Sequence, residues 1–279
     1  MDLTKIKNSK PYSAIRRFYY SLKNWDATKD RLKTQRDLRK FKNICKGQPC
    51  VVIGNGPSLR IEDLTALYDL RVKTFACNRI HKVFSQTPWR PDYYFMSDNK
   101  LMETDHGAPE EGFEKIECFY PKRHRALVEN IKNSHYYLEK PFDYAKEGRF
   151  STDASTGVYP AGSVTTEMLQ FAFYMGFSEV YLIGVDFSYN VTQQKDQKTY
   201  TYNNEDNYFI KGYLKPGEVA DMPNFAANLL SFKAAKDTFE ANGRIIKNAT
   251  RGGKLEVFER IDLDELLCRW KSFRRITKD

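Results

Sequence analysis

The sequence offers no apolar run long enough to cross a membrane. Its longest candidate, Val164 to Phe177, carries Glu167 and Gln170 and falls short of the roughly 20 residues a bilayer requires. The first residues lack the apolar centre of a secretory signal, so a cytoplasmic chain is expected. Cysteine is scarce. Five residues (Cys45, Cys50, Cys77, Cys118 and Cys268), an odd number without paired spacing, read as reduced thiols, and in that compartment the sequons at Asn190 and Asn248 go unused. No glycine-rich loop is followed by Lys-Ser/Thr, which excludes a Walker phosphate loop. No nucleic-acid recognition motif accompanies the basic charge, so no nucleic-acid partner is expected.

What the chain does have is positive charge, unevenly placed. Residues 1–48 hold fourteen Lys and Arg against four Asp, so a net charge of +9 over 279 residues leaves the remainder close to neutral. Within this basic arm, 1–47, Ile15, Phe18, Tyr19, Leu22 and Trp25 recur at helical spacing with Arg16, Arg17 and Lys23 between them, and a second polar helix is expected at 27–43. Such a helix suits an anionic membrane surface. Its apolar face could equally dock on the protein's own core.

The chain is organised around Cys50-Val-Val-Ile-Gly-Asn-Gly-Pro-Ser-Leu59, which reads as strand, tight loop and helix. Gly54 and Gly56 permit positive φ or close backbone approach to a ligand, Pro57 suits a first helical turn, and Ser58 is placed to cap a helix over 60–68. The N–H groups of such a turn attract an anion. A dinucleotide fingerprint would need a third glycine where Leu59 stands and an acidic residue where the next strand ends in Asn78, so NAD is disfavoured.

Strands are expected at 50–54, 73–77, 92–97, 116–120 and 134–138, with helices at 60–68 and 122–132 between them. Polar residues stand where the first three strands end: Asn55, then Asn78-Arg79, then Ser97-Asp98-Asn99. In a parallel sheet these ends converge on one ligand crevice. A loop over 140–161 leads through Gly162 and Ser163 into a helix at 163–175, a second helix N-terminus for an anion. Gly176 stops that helix, and Glu179 to Gly184 forms a buried strand ending at Asp186, a functional candidate that could instead cap the next turn. Segment 188–223 is polar and tyrosine-rich, as lids and acceptor sites are, and lacks the apolar period that would fix it to a core. A helix at 224–241, a short strand at 244–247, a loop at 248–254 that is a plain turn or an anion site, and an amphipathic helix at 263–274 complete the chain.

In their order and spacing, Ile53-Gly-Asn-Gly-Pro-Ser-Leu59, Cys77-Asn-Arg79, Ala161-Gly-Ser-Val164 and Val180-Tyr-Leu-Ile-Gly-Val-Asp-Phe187 resemble the bacterial CMP-sialic-acid sialyltransferases of family forty-two. They also resemble the wider superfamily of motility accessory factor glycosyltransferases and the 6-hydroxymethylpterin diphosphokinases. The resemblance spans residues 48–260, and from Pro216 to Glu256 it runs closer to glycan-cluster members than to the sialyltransferases proper. It implies an α/β, Rossmann-like fold: a mostly parallel sheet flanked by helices, a GT-A-like variant, with catalytic domain 48–262, lid 188–223 and C-terminal helix 263–279. It implies further a metal-independent, cofactor-free transferase that moves a sugar from a nucleotide donor, CMP-linked, onto a glycan or lipid-linked acceptor of bacterial surface polysaccharide. The nucleotide would lie on Gly54, Asn55, Gly56, Ser58, Asn78, Arg79, Asp98, Gly162 and Ser163. The sialyltransferases carry a lid histidine as base. Here all four histidines (81, 106, 124 and 135) precede the lid, which reads Asn207-Tyr208-Phe209-Ile-Lys-Gly-Tyr213. The base therefore passes to Asp186 or Glu218, with Tyr208 and Tyr213 beside it, or the reaction differs. The alternatives are a pyrophosphoryl transfer with Mg2+ on Asp98 or Asp186, and a non-catalytic nucleotide-binding module. A peripheral position on the inner membrane face is expected from the arm, and a homo-oligomer is left open.

Overall fold

Runs of small and β-branched apolar residues make strands buried on both faces, as a sheet covered by helices on each side requires. The computed structural model describes residues 28–107, 111–141, 143, 147–190, 199–203 and 206–276. The expected first helix of the arm, around Ile15 to Trp25, lies outside them, as do 191–198 and 204–205 of the insertion.

The strands are β1 (Pro49–Ile53), β2 (Lys73–Cys77), β3 (Tyr93–Phe95), β4 (Glu117–Pro121), β5 (Ser134–Tyr137), β6 (Glu179–Ile183), β7 (Thr199–Thr201), β8 (Val219–Asp221), β9 (Ile245–Asn248) and β10 (Glu259–Arg260). The helices are α1 (28–39), α2 (Ile61–Leu70), α3 (Asn99–Asp105), α4 (Val164–Tyr174), α5 (Phe225–Ala241) and α6 (Leu263–Ile276). Eight strands form one sheet in the order β10-β9-β6-β1-β2-β3-β4-β5, and every pairing in it is parallel. The chain runs outward from β1 to β5 and then returns to place β6 on the other side of β1, in register from Pro49↔Glu179 to Ile53↔Ile183. The strand order thus reverses between β1 and β6, where open α/β sheets hold their ligands.

Alternation along β1 sorts the core into two layers. Val51 and Ile53 face a layer with Leu64 and Leu67 of α2 and Leu263, Leu266 and Leu267 of α6. Cys50 and Val52 face the other, with Phe171 of α4, Phe232 of α5, and Leu38, Phe41 and Cys45. Residues 38–47 are therefore packed chain, although the sequence places them in a separate arm. Asn43, Cys45 and Gly47 donate their backbone N–H groups to Tyr174, Met175 and Gly176. A Cβ on Gly176, which turns α4 off at φ 91°, would press on the Asn43 and Lys46 backbone at 3.0–3.1 Å.

Three local expectations change. Only 3-10 and single-turn pieces, Lys122–His124 and Arg125–Val128, stand where a helix was expected at 122–132. After Pro121 only Val128 and Ile131 there are buried, too few for an apolar stripe, and Asn133 at φ 59° ends the segment. Ser58 does not cap α2. Asp63 does so from within the helix, its carboxylate accepting the Arg60 N–H at 3.1 Å. The described part of the lid segment is fixed to the core: β7 and β8 pair as an antiparallel ribbon, and Tyr200, Tyr202, Tyr213 and Leu214 are buried in the α2 layer. Aromatic side chains, without any regular period, supply that packing.

Candidate active site

The carboxyl ends of the strands enclose a cleft of about 590 Å3 at the β1/β6 reversal. It gathers Gly54, Asn55, Gly56, Asn78, Asp98, Gly162, Ser163, Asp186, Tyr208 and Tyr213, ten of the thirteen residues singled out in the sequence. Ser58, Arg79 and Glu218 are the three it does not include.

The glycine loop is shaped by protein contacts. Neither Gly54 nor Gly56 has positive φ. A Cβ on Gly54 would collide with the Gly184 carbonyl, and one on Gly56 with the Asp186 carboxylate, so both glycines allow the end of β1 to lie against the end of β6. Gly56 N–H donates to Gly184 O at 2.9 Å, and Ser58 Oγ donates to Asp186 Oδ2 at 2.8 Å. Burial pushes the Asp186 carboxyl up, while the Ser58 bonds and its own N–H pull it down. The chain leaves β6 sharply, with Gly184 at φ 64° and Phe187 at φ 53°, the latter a costly conformation for a bulky residue. The 248–254 loop braces this exit: Thr250 Oγ1 accepts the Val185 N–H, Lys254 N–H donates to Asp186 O, and Arg251 pairs with Asp63.

Two asparagines follow β1 and β2. Asn55 Nδ2 donates to the Cys77 carbonyl at 3.1 Å, and Asn78 sits at φ 53°, its carbonyl accepting the Tyr94 hydroxyl at 2.7 Å. The amide oxygens of both are buried without a partner, as are Asn228 Oδ1 and Asn207 Nδ2, all on residues that line the cleft. A buried polar atom left unpaired costs about 1–3 kcal/mol, so four in one cleft mark a place for a polar ligand.

Opposite them, α4 starts at Ser163, whose side chain makes no capping bond, after Gly162 at φ 71°. Asp98 lines the cleft as expected but spends Oδ1 on the Lys100 and Leu101 N–H groups as the cap of α3, and burial pushes its carboxyl up. Tyr208 and Tyr213 stack with ring centroids 4.0 Å apart. Burial pushes both phenols well up, so at neutral pH they donate hydrogen bonds and do not accept protons.

Arg79 and Glu218 correct the sequence reading. Arg79 is buried with its guanidinium on two carboxylates, Asp105 (2.5 and 2.7 Å) and Glu218 (2.7 and 2.9 Å), and bonds to the Tyr213 carbonyl at 2.9 Å. Both acids line a separate hollow of about 1110 Å3. Burial alone would raise the Glu218 carboxyl, but Arg79 holds it below the ordinary range, where it makes a poor base. The pair fastens the insertion to the end of β2.

The residue the sequence reading missed is Glu167, noted there only as an interruption of an apolar run. It lies in the cleft lining, 2 % exposed, and accepts the Tyr137 hydroxyl at 2.5 Å. Burial pushes it up to about 7 against the pull of that hydroxyl. Its neighbour Gln170 is structural, its amide bonded to Ser151, Tyr159 and Thr166. Among the described residues no three His, Cys, Asp or Glu side chains converge as metal ligands would, and no helix is long and apolar enough to cross a membrane.

No curated protein matches the chain. A solved MAf glycosyltransferase from Magnetospirillum magneticum AMB-1 shares its fold, with a TM-score of 0.50 and 18% identity over 84% of this chain. This chain spans only 38% of that one. The family model described as 6-hydroxymethylpterin diphosphokinase MptE-like matches residues 23–192, more than half of the sequence, and the chain belongs to the MptE-like family.

Proposed function

We propose that the chain is a glycosyltransferase that moves a sugar from a nucleotide donor, CMP-linked, onto a glycan or lipid-linked acceptor in surface polysaccharide synthesis. The observation that carries this reading is the polarity of the cleft. On one side stand amide oxygens that need hydrogen-bond donors, Asn55 and Asn78; on the other stands the N-terminus of α4, which offers N–H groups and a positive dipole end. Ribose hydroxyls and an exocyclic amine supply the first, and a phosphate supplies the second. A nucleoside phosphate carries both at its two ends. The tyrosines of the insertion roof the cleft, where an acceptor would enter.

The basic residues of the arm would hold this cleft near anionic lipid on the inner membrane face. A pyrophosphoryl transfer with Mg2+ is the second reading, because the family model bears the name of a diphosphokinase. It has less support from the carboxylates, since Asp98 is engaged as a helix cap and Asp186 by Ser58. Calorimetry with CMP, ADP, ATP and GDP, with and without Mg2+, tests the choice. CMP binding without metal is expected; metal-dependent ATP binding would support the pyrophosphoryl reading, and no binding of any nucleotide would leave a non-catalytic module.

A further inference from the structure

A carboxyl buried in the cleft wall needs a reason. Residues 165–174 of α4 are all buried, so at position 167 an apolar side chain would avoid the cost of desolvating an acid. Five carboxyls line the cleft among the described residues, and four are engaged by cations or backbone N–H groups. Asp98 caps α3, Glu139 pairs with Arg123, Asp221 pairs with Lys100, and Asp186 is held by Ser58 and its own N–H. Glu167 has only hydroxyl donors, Tyr137 from β5 and Ser97 from the end of β3. The other charged or titratable groups facing it are Cys77 of β2, Glu139 after β5 and Arg123 after β4. Two neutral hydroxyls fix the carboxylate's orientation without neutralising it, and the balance of burial against those bonds places its titration near neutrality.

We propose that Glu167 accepts the proton of the acceptor hydroxyl during sugar transfer, an inference that rests on the glycosyltransferase reading above. The hydroxyl oxygen forms its bond to the anomeric carbon of the donor sugar. The bond from that carbon to the donor's phosphate oxygen breaks, and its electron pair leaves on the nucleotide. The hydroxyl proton passes to a Glu167 carboxylate oxygen and is released to water after the products depart. Tyr137 and Ser97 are positioning residues in this scheme.

The test follows release of free nucleotide from CMP-, UDP- and GDP-linked sugars in the full chain and in Glu167→Gln. The variant is expected to bind CMP with affinity within about twofold of wild type and to turn over at least a hundredfold more slowly, the usual size of a lost general base. The acidic limb of the wild-type rate profile should lie near pH 7. It should move to higher pH in Tyr137→Phe, which removes a donor that favours the ionised form; a merely structural Glu167 would not shift it. A Glu167→Gln variant as fast as wild type, or a limb unmoved in Tyr137→Phe, overturns the assignment and leaves the glycosyltransferase reading intact. A wild-type chain that consumes no donor overturns both. In that event the denaturation midpoint of Glu167→Gln, expected to exceed wild type above pH 7 and to match it at pH 4, still reports whether Glu167 is a buried acid.

Discussion

Replacing Arg79 with Ala distinguishes a lock from a ligand contact. All the guanidinium N–H groups of Arg79 are directed at protein acceptors: two oxygens of Asp105, two of Glu218, the Tyr213 carbonyl and the Thr104 hydroxyl. The arginine side chain is 4% exposed and each carboxylate 17%, so the pair sits largely out of water. Removing one partner of a buried ion pair typically costs 3–5 kcal/mol because the other charge is left uncompensated. Here two carboxylates would be left facing each other, with some access to water, and a loss of about 3 kcal/mol at pH 7 is expected. Urea denaturation measures it. Arg79 holds both carboxyls below their ordinary range in the folded protein, against the opposing effect of burial. A depressed carboxyl contributes stability above its unfolded pKa, about 4, and loses it as pH falls through the folded value. The wild type therefore loses this contribution below about pH 4, whereas in the variant protonation relieves the repulsion, so the gap between the two proteins should close with acid. Hydrogen exchange over 206–218 should quicken in the variant, because the Tyr213 carbonyl loses its anchor. A stability loss under 1 kcal/mol together with a hundredfold loss of CMP affinity would refute the lock and return Arg79 to the nucleotide.

Asn55→Ala and Asn78→Ala should each weaken CMP binding by roughly 1–3 kcal/mol, read by calorimetry, since their amide oxygens have no protein partner. Each should also lower the unliganded stability by about 1 kcal/mol, because Asn55 Nδ2 loses its bond to the Cys77 carbonyl and Asn78 sits at φ 53°, a conformation alanine adopts less readily. Gly54→Ala should destabilise by about 1–3 kcal/mol in a urea titration, as overpacking does, because the new methyl meets the Gly184 backbone. Removing residues 1–27 should weaken co-sedimentation with anionic vesicles. Removing 1–47 also strips Leu38, Phe41 and Cys45 from the core, a loss of about 1.5–3 kcal/mol for each large side chain, and should abolish the cooperative melt. Glu167→Gln should gain about 3 kcal/mol at pH 8 and nothing at pH 4. A carboxyl raised to about 7 carries its full stability below the unfolded pKa near 4.3 and loses it as pH rises toward 7.

The sheet was legible because strands buried on both faces must be apolar throughout, so Cys50 to Ile53 and Val180 to Ile183 show themselves without any knowledge of partners. The polar residues that end those strands were legible for the same reason: the change from apolar to Asn, Asp or Ser marks the carboxyl edge, where a parallel sheet gathers its ligand groups. What failed were inferences about pairing over long distances. Arg79 and Glu218 each look like cleft groups, and nothing local says that they neutralise each other across 139 residues. The packing of 38–47 was hidden by charge, since Lys and Arg around Leu38 and Phe41 mask two residues that reach the core. Glu167 failed differently. In the sequence it shows as a polar interruption that keeps 164–177 from spanning a membrane. A helix apolar on every side is a buried helix, and an acid within it must be paired, neutral or kept for chemistry. Gln170, one turn later, meets that demand with hydrogen bonds to the loop beside it, so its polarity is explained by structure. Glu167 has no ion pair of its own: its donors are the hydroxyls of Tyr137 and Ser97, and the nearby Arg123 is paired with Glu139. Of the two polar interruptions in the apolar run, the acid is the one that structure alone does not account for, and it opens into the cleft.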